Sequence, residues 1–154
     1  MAEVLIRRAG PDDALVVAAL HLQFARGLGM PSEPGYLDRF VDAWLASRSD
    51  RPTWLAESRG EHAGLLETQR LRPLPWPGRP DVSWLHVGGL FVAPTCRDRG
   101  VGRALTEAMI TWARTSDVRG IRVNAPDDPA REFYERLGFT SPGRLLELEL
   151  RRPG

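Results

Sequence analysis

Apolar residues run along this chain in two rhythms, and the changes between them mark its elements. Val4 to Arg7 is a short strand-like run. Gly10-Pro11-Asp12-Asp13 opens a helix, with proline in the first turn and acids at the positive end of the helix dipole. Val16, Val17, Leu20 and Phe24 then keep the three-to-four spacing of one helix face, and Gly27 or Gly29 closes it. A second helix carries Tyr36, Leu37, Phe40, Val41, Trp44 and Leu45 on one face. Thr53 to Glu57 and His62 to Leu71 read as strands joined by a hairpin turn at Ser58-Arg59-Gly60-Glu61. Pro73, Pro75, Pro77 and Pro80 follow, with Trp76 among them. A strand ladder does not tolerate so many missing donors, so this stretch is an exposed loop.

Val82 to Val92 is the longest apolar run, and Gly88 and Gly89 inside it signal a bulge or a close approach of a ligand to the backbone. Leu105, Ala108, Met109, Trp112 and Ala113 form the core face of a helix reaching Arg114. Gly120 to Asn124 is the next strand, and Pro129 starts a helix with Ala130, Phe133, Tyr134 and Leu137 on one face, stopped by Gly138. Phe139-Thr140 is a short strand and Leu145 to Leu150 a final one. The order is β-α-α-β-β-β-α-β-α-β-β. There are no repeats or linkers, and 154 residues make one domain, 1–154, with a real core.

The stretch between Val92 and that third helix carries the chemistry: Arg97-Asp98-Arg99-Gly100-Val101-Gly102-Arg103-Ala104-Leu105. Its glycines permit a tight turn and close approach. It feeds a helix N-terminus, where free N–H groups favour an anion. Arg97, Arg99 and Arg103 add guanidinium forks suited to phosphate. This reads as a pyrophosphate cradle. It is not a Walker A loop, since the chain has no lysine, and Leu105 stands where the dinucleotide fingerprint needs its third glycine.

Composition narrows the field further. With 21 basic residues, all Arg, against 20 acidic ones, nothing in the net charge favours nucleic acid or a membrane surface as partner. One cysteine, Cys96, excludes an internal disulfide and a Cys-cluster zinc site, and three scattered histidines lack ligand spacing, so no metal is expected. The first residues lack a signal-peptide core, and no run approaches ~20 apolar residues. A soluble, cytoplasmic, bacterial protein is the expectation.

The cradle resembles the acyl-CoA loop of the GNAT superfamily of N-acetyltransferases, [Arg/Gln]-x-x-Gly-x-[Gly/Ala], through Arg97, Gly100 and Gly102. Leu90-Phe91-Val92-Ala93-Pro94 before it is similar to that family's Leu-Tyr-Val-x-Pro. Asn124 stands where the family often has a pantetheine-contacting Asn. Ala130-x-x-Phe133-Tyr134-x-x-Leu137-Gly138-Phe139 resembles its A-x-x-F-Y-x-x-L-G-F, and the element order extends the likeness over almost the whole chain. The resemblance implies an α/β (α+β) fold: a mixed, mostly antiparallel sheet of six to seven strands, splayed between strands four and five, with about four helices. It implies acetyl-CoA as cosubstrate. The pantetheine arm would lie along Leu90, Phe91 and Val92 and contact Asn124. The pyrophosphate would lie on the backbone from Asp98 to Ala104, over Asp98, Arg99, Gly100, Val101, Gly102, Arg103 and Ala104.

The implied reaction transfers an acetyl group to a primary amine of a small molecule or peptide, by direct attack in a ternary complex. A lysine-like amine, with a pKa of about 10.4, must lose a proton before it attacks. A backbone N–H near Leu90 would hold the oxyanion. The resemblance makes Tyr134 the general acid, and a phenol near pKa 10 stays protonated beside a thiol near 8.5. Several relatives carry a carboxylate base on strand four, which is missing here. His86, four residues before Leu90 and on its side by period-two counting, is the imidazole candidate, against a histidine merely bonded in the sheet. A water chain with Glu67 or Asp127 is the other route.

Cys96 lacks an indicated base partner, and His21 reads as a cap or a solvated side chain. Tyr36, Phe40 and Trp44 are helix core first, and by family habit also an acceptor wall. Trp76 is a lid over that wall or only an anchor. Dispersed acids argue for a small or amino-acid-like amine over a polycationic antibiotic. A non-catalytic acyl-CoA sensor is the alternative function, and family habit allows a homodimer, with Leu145 to Leu150 as a candidate edge. The acceptor's identity and the acyl length stay open.

Overall fold

The computed structural model describes residues 3–150. Within it the chain divides into two compact units, Met1–Val123 and Asn124–Gly154. In the first unit the strand-like runs become β1 (Val4–Arg8), β2 (Thr53–Ser58), β3 (Glu61–Leu71), β4 (Ser83–Val92) and β5 (Val118–Val123). The helical runs become α1 (Ala14–Gly27), α2 (Tyr36–Ala46) and α3 (Val101–Arg114). One sheet holds the strands in the order β1-β2-β3-β4-β5. Its first four strands pair antiparallel, and β5 lies parallel to β4.

Local chemistry explains the punctuation. Arg59 (φ 54°) and Gly60 (φ 76°) both take the left-handed region between β2 and β3, the signature of a two-residue primed hairpin turn. Pro11–Asp13 forms one 3₁₀ turn ahead of α1, and the Asp13 carboxylate accepts the Gly10 N–H at 2.7 Å and both ends of the Arg7 fork at 2.8 Å. Residues 72–81 form no strand, as the prolines require.

Antiparallel partners point their side chains to the same face, so the register sorts the sheet into two surfaces. Leu55, Leu65 and Phe91 bury against Val17 and Leu20 of α1 and Trp44 of α2. Trp44 adds a buried hydrogen bond from its indole N–H to the Thr53 hydroxyl at 3.1 Å. On the other surface α3 contributes Val101, Leu105 and Met109, all essentially without exposure. Gly64 on β3 is where α3 comes closest. A methyl there would meet the Phe91 carbonyl at 2.8 Å, Leu105 Cδ1 at 3.1 Å and Val101 Cγ1 at 3.2 Å. Gly64→Ala is therefore expected to cost about 1–3 kcal/mol by overpacking, read as an earlier urea midpoint. An unchanged midpoint would show that α3 can retreat freely.

In the second unit Asp127 caps α4 (Asp128–Arg136), its carboxylate accepting the Ala130 N–H at 2.8 Å, with Pro129 in the first turn. Gly138, at φ 100°, ends the helix as expected. One expectation fails here. Neither Phe139-Thr140 nor Leu145 to Leu150 forms a strand, so the described residues make a five-stranded sheet and not one of six to seven. Leu145, Leu146, Leu148 and Leu150 are 76–92% exposed. Alternation of leucine and glutamate creates a face that suits a strand, but a strand exists only through hydrogen bonds to a neighbour. No ladder within the described chain reaches these residues.

Candidate functional site

The site begins where the sheet opens. β4 and β5 pair from Ser83–Val118 to Val87–Val123 and no further. At the same level β3 pairs Thr68 with Val87 but Glu67 with Gly89, so Gly88 is the extra residue of a bulge. Beyond it, Ala93 donates its N–H to the Ala63 carbonyl at 2.8 Å. Alternate residues of an antiparallel strand turn both backbone groups to the same neighbour. Phe91 and Gly89 therefore face β3, while Leu90 and Val92 present theirs to the open side. The Val92 carbonyl there accepts Arg97 Nε at 3.2 Å. A cavity of about 230 Å³ follows the opening, lined by Phe24 and Gly27 of α1, by Leu28 just after it, and by Leu90, Phe91, Val92 and Arg97. Phe24 stacks on Phe91 at 5.6 Å to make its apolar wall.

The cradle continues from this cavity. Asp98 (φ 63°) and Gly100 (φ 77°) both take left-handed conformations, and this double reversal turns the chain into α3. The first intrahelical bond runs from Ala104 to the Gly100 carbonyl, and no side chain caps the helix. The N–H groups of Val101, Gly102 and Arg103 precede that bond and lack helical partners. Arg97, Asp98, Arg99 and Gly100 are exposed, and Arg103 is held by Glu107 at 2.7 Å. Unpaired backbone groups of a strand, free N–H groups of a helix and guanidinium groups thus line one continuous path. An amide chain ending in a pyrophosphate fits these donors and acceptors.

The face of the sheet under α1 and α2 holds groups that periodicity alone misplaces. His86 pairs with Gln69 and Phe91 with Leu65, whereas Leu90 pairs with Leu66. The bulge thus puts His86 on the face of Phe91 and Glu67, opposite Leu90, and corrects the period-two count. One inserted residue flips every side chain beyond it. Gly88-Gly89 was the signal for this in the sequence. Glu67 sits on the bulge itself, 17% exposed, with Arg51 Nη1 at 3.9 Å from Oε2. Burial pushes its carboxyl above the usual range, and Arg51 works against that. His21 neither caps its helix nor lies in solvent. Its Nδ1 pairs with the Tyr36 hydroxyl at 2.7 Å, and burial lowers its pKa so that it stays neutral. Trp44 is core, while Tyr36 and Phe40 are only half-buried.

In the second unit, the Tyr134 ring packs edge-on against Phe133 at 5.0 Å and Phe139 at 5.3 Å, and burial raises its phenol above the ordinary 10. Asn124 is exposed, and Asp127 is taken up as the cap of α4. Cys96 is buried, with its thiol 3.7 Å from the Thr95 hydroxyl. Trp76 lines a separate hollow of about 510 Å³ with Trp84 and Arg119, at the end of β4 away from the opening. That hollow is larger, yet it is lined mainly by the proline-rich loop and lies away from the opening between β4 and β5, so the smaller cavity is the candidate site.

Comparison with known proteins agrees with this geometry. The model of the acetyltransferase (GNAT) family matches residues 18–139. The chain belongs to the GNAT family of acetyltransferases. An uncharacterized N-acetyltransferase of Methanocaldococcus jannaschii is 29% identical over 106 residues, 66% of this chain and 44% of its own. The peptidyl-lysine N-acetyltransferase YjaB of Escherichia coli is 33% identical over 72 residues, 47% of each chain. This GNAT chain thus spans somewhat under half the length of the curated relatives it matches. Among solved structures, a predicted acetyltransferase of Clostridium acetobutylicum, determined with acetyl-CoA, superposes with a TM-score of 0.76 at 18% identity, covering 96% of each chain. A ribosomal-protein-alanine N-acetyltransferase of Brucella melitensis gives 0.74 at 22%, covering 99% and 100%. At such identities these neighbours show the GNAT fold. Among the described residues no helix is long and apolar enough to cross a membrane, and no three His, Cys, Asp or Glu side chains gather as a metal site.

Proposed function

We propose that residues 1–154 act as one acetyl-CoA-dependent N-acetyltransferase domain, with a primary amine of a small molecule or peptide as acceptor, attacking directly in a ternary complex. The observation that carries this reading is the open side of β4 at Leu90 and Val92, beyond the last β4–β5 pair, leading to three N–H groups without helical partners at the start of α3. Leu90 and Val92 would bond the pantetheine amides, Asn124 would contact the same arm, and the backbone from Asp98 to Ala104 with Arg97 would hold the pyrophosphate. When bound, acetyl-CoA supplies an activated acetyl thioester. The protein's share is to orient it and manage charge and protons. The Leu90 N–H, facing the opening, donates to the carbonyl oxygen as it gains charge. Tyr134 gives a proton to the departing sulfur, a task helped by burial that keeps the phenol protonated. The amine would arrive over the α1 and α2 face, where His86 is one candidate to accept its proton and a water route through a carboxylate is the other. The relatives named for peptidyl-lysine and ribosomal-protein alanine acceptors support an amine acceptor.

Calorimetry with acetyl-CoA, followed by thiol release across peptides, polyamines, aminoglycosides, arylalkylamines and amino acids, tests this. Binding with amine-stimulated thiol release is the expected result. Binding without release for any amine would favour a non-catalytic acyl-CoA sensor, and no binding would remove the cradle reading altogether.

A further inference from the structure

Glu67 is the buried carboxylate that the reading above leaves unused. Its Oε1 lies against the backbone of the bulge. A methyl at Gly88 would overlap that oxygen, and one at Gly89 would stand 3.6 Å from it. Glu67 pairs with Gly89, beyond the last β4–β5 pair and next to Leu90, whose N–H faces the opening. His86 stands three residues earlier, inside the paired part of β4. The missing side chain at Gly88 is thus the space that the carboxylate fills.

The surroundings are aromatic. His21 and Phe40 rings lie 4.8 Å apart, Tyr36 and Phe40 6.1 Å, and His21 and Phe24 6.3 Å. Phe24 is also the nearest side chain to Gly89. The charge of Glu67 reaches the Tyr36 phenol, adding to the upward push of burial. Arg51 takes the other side of the carboxylate and leaves Oε1 toward the bulge. A negative charge with aromatic rings nearby holds one ammonium group well, and Arg51 beside it repels a second.

We propose that Glu67, seated on the Gly88 bulge, accepts the proton of the acceptor ammonium, and that the rings of Phe24, Tyr36 and Phe40 on the same face select an amine with a single positive charge on an apolar or aromatic body. The proposal rests on the acetyltransferase reading and names its base and acceptor class. The ammonium gives one proton to Glu67, which passes it to water. The free amine then forms the C–N bond as the C–S bond breaks, and the second nitrogen proton is balanced by the proton gained at sulfur. Because burial raises the Glu67 pKa, activity falls as pH drops through that raised value. Arg51, Tyr36, His21 and His86 are the other titratable groups facing it.

The test compares wild type with Glu67→Gln, Gly88→Ala and His86→Gln, using 2-phenylethylamine and spermidine. Glu67→Gln should keep acetyl-CoA affinity, lower kcat/KM for phenylethylamine about 100-fold and lose the acidic limb of its pH profile. Its thermal midpoint at pH 8 should not fall, since the fold disfavours the buried charge. Gly88→Ala, which moves the carboxylate without removing it, should cost about 10- to 100-fold. Phenylethylamine should exceed spermidine in kcat/KM. Loss of the acidic limb in His86→Gln but not in Glu67→Gln overturns the proposal, as does a preference for spermidine. If no amine turns over, the acetyltransferase reading fails separately. Calorimetric binding of phenylethylammonium, weakened at least about 10-fold by Glu67→Gln, then still decides for Glu67, and equal binding decides against it.

Discussion

Gly102→Glu is expected to abolish measurable acetyl-CoA binding at micromolar protein while leaving the fold as stable as wild type. Position 102 is the second residue of α3, and its N–H is one of three that precede the first intrahelical bond. A carboxylate there would occupy the place offered to the pyrophosphate. Like charges about 4 Å apart near a protein surface repel by up to about 4 kcal/mol, so a loss of roughly 100-fold or more is expected. The same carboxylate is favourable to the helix itself, since acids near a helix N-terminus stabilise it by about 0.3–1 kcal/mol. Glutamate is also a better helix former than glycine. Opposite signs for binding and stability make the result diagnostic, read by calorimetry beside thermal unfolding. Gly102→Gln, with similar bulk and no charge, should lose less. Unchanged affinity in Gly102→Glu would place the phosphates elsewhere.

Tyr134→Phe should lower turnover about 100-fold, the lower end of what a positioned proton donor contributes, with acetyl-CoA affinity changed by less than about threefold. The packing on Phe133 and Phe139 is made by the ring, which phenylalanine keeps. The hydroxyl makes no hydrogen bond among the described residues, so its removal strands no partner and the thermal midpoint should stay. With the phenol raised by burial, wild-type activity should show no basic limb from Tyr134 below pH 10. Equal turnover in the two proteins would remove Tyr134 from proton transfer. A loss of affinity that matches the loss of turnover would make it a binding residue only.

Most of the elements, and the turn into α3, were legible because their signals are local. Helical spacing in α1 to α4, the Arg59-Gly60 turn, the prolines of the loop and the Pro129 start of α4 each act within a few residues. The two glycines of β4 were also legible as a bulge. Their consequence was not, because the face on which His86 lies depends on the register with β3, and a register is a relation between distant strands. The same reason hid the Glu67–Arg51 contact and the His21–Tyr36 hydrogen bond, whose partners are 16 and 15 residues apart in sequence.

The final leucines mark the opposite error. Leu145 to Leu150 carries the alternation of a half-buried strand, yet its leucines stay exposed. Local pattern can propose a strand, but only a neighbouring backbone completes one. The amino-acid sequence by itself determined where helices start and stop, where the chain must loop, and that a glycine-containing loop leads into α3, since these depend on backbone sterics, missing donors and helix ends. Only the tertiary structure decided how many strands join the sheet, that β4 parts from β5 after Val87, and which face carries Glu67 and His86, because pairing and register are settled by hydrogen bonds and packing between segments far apart in the chain.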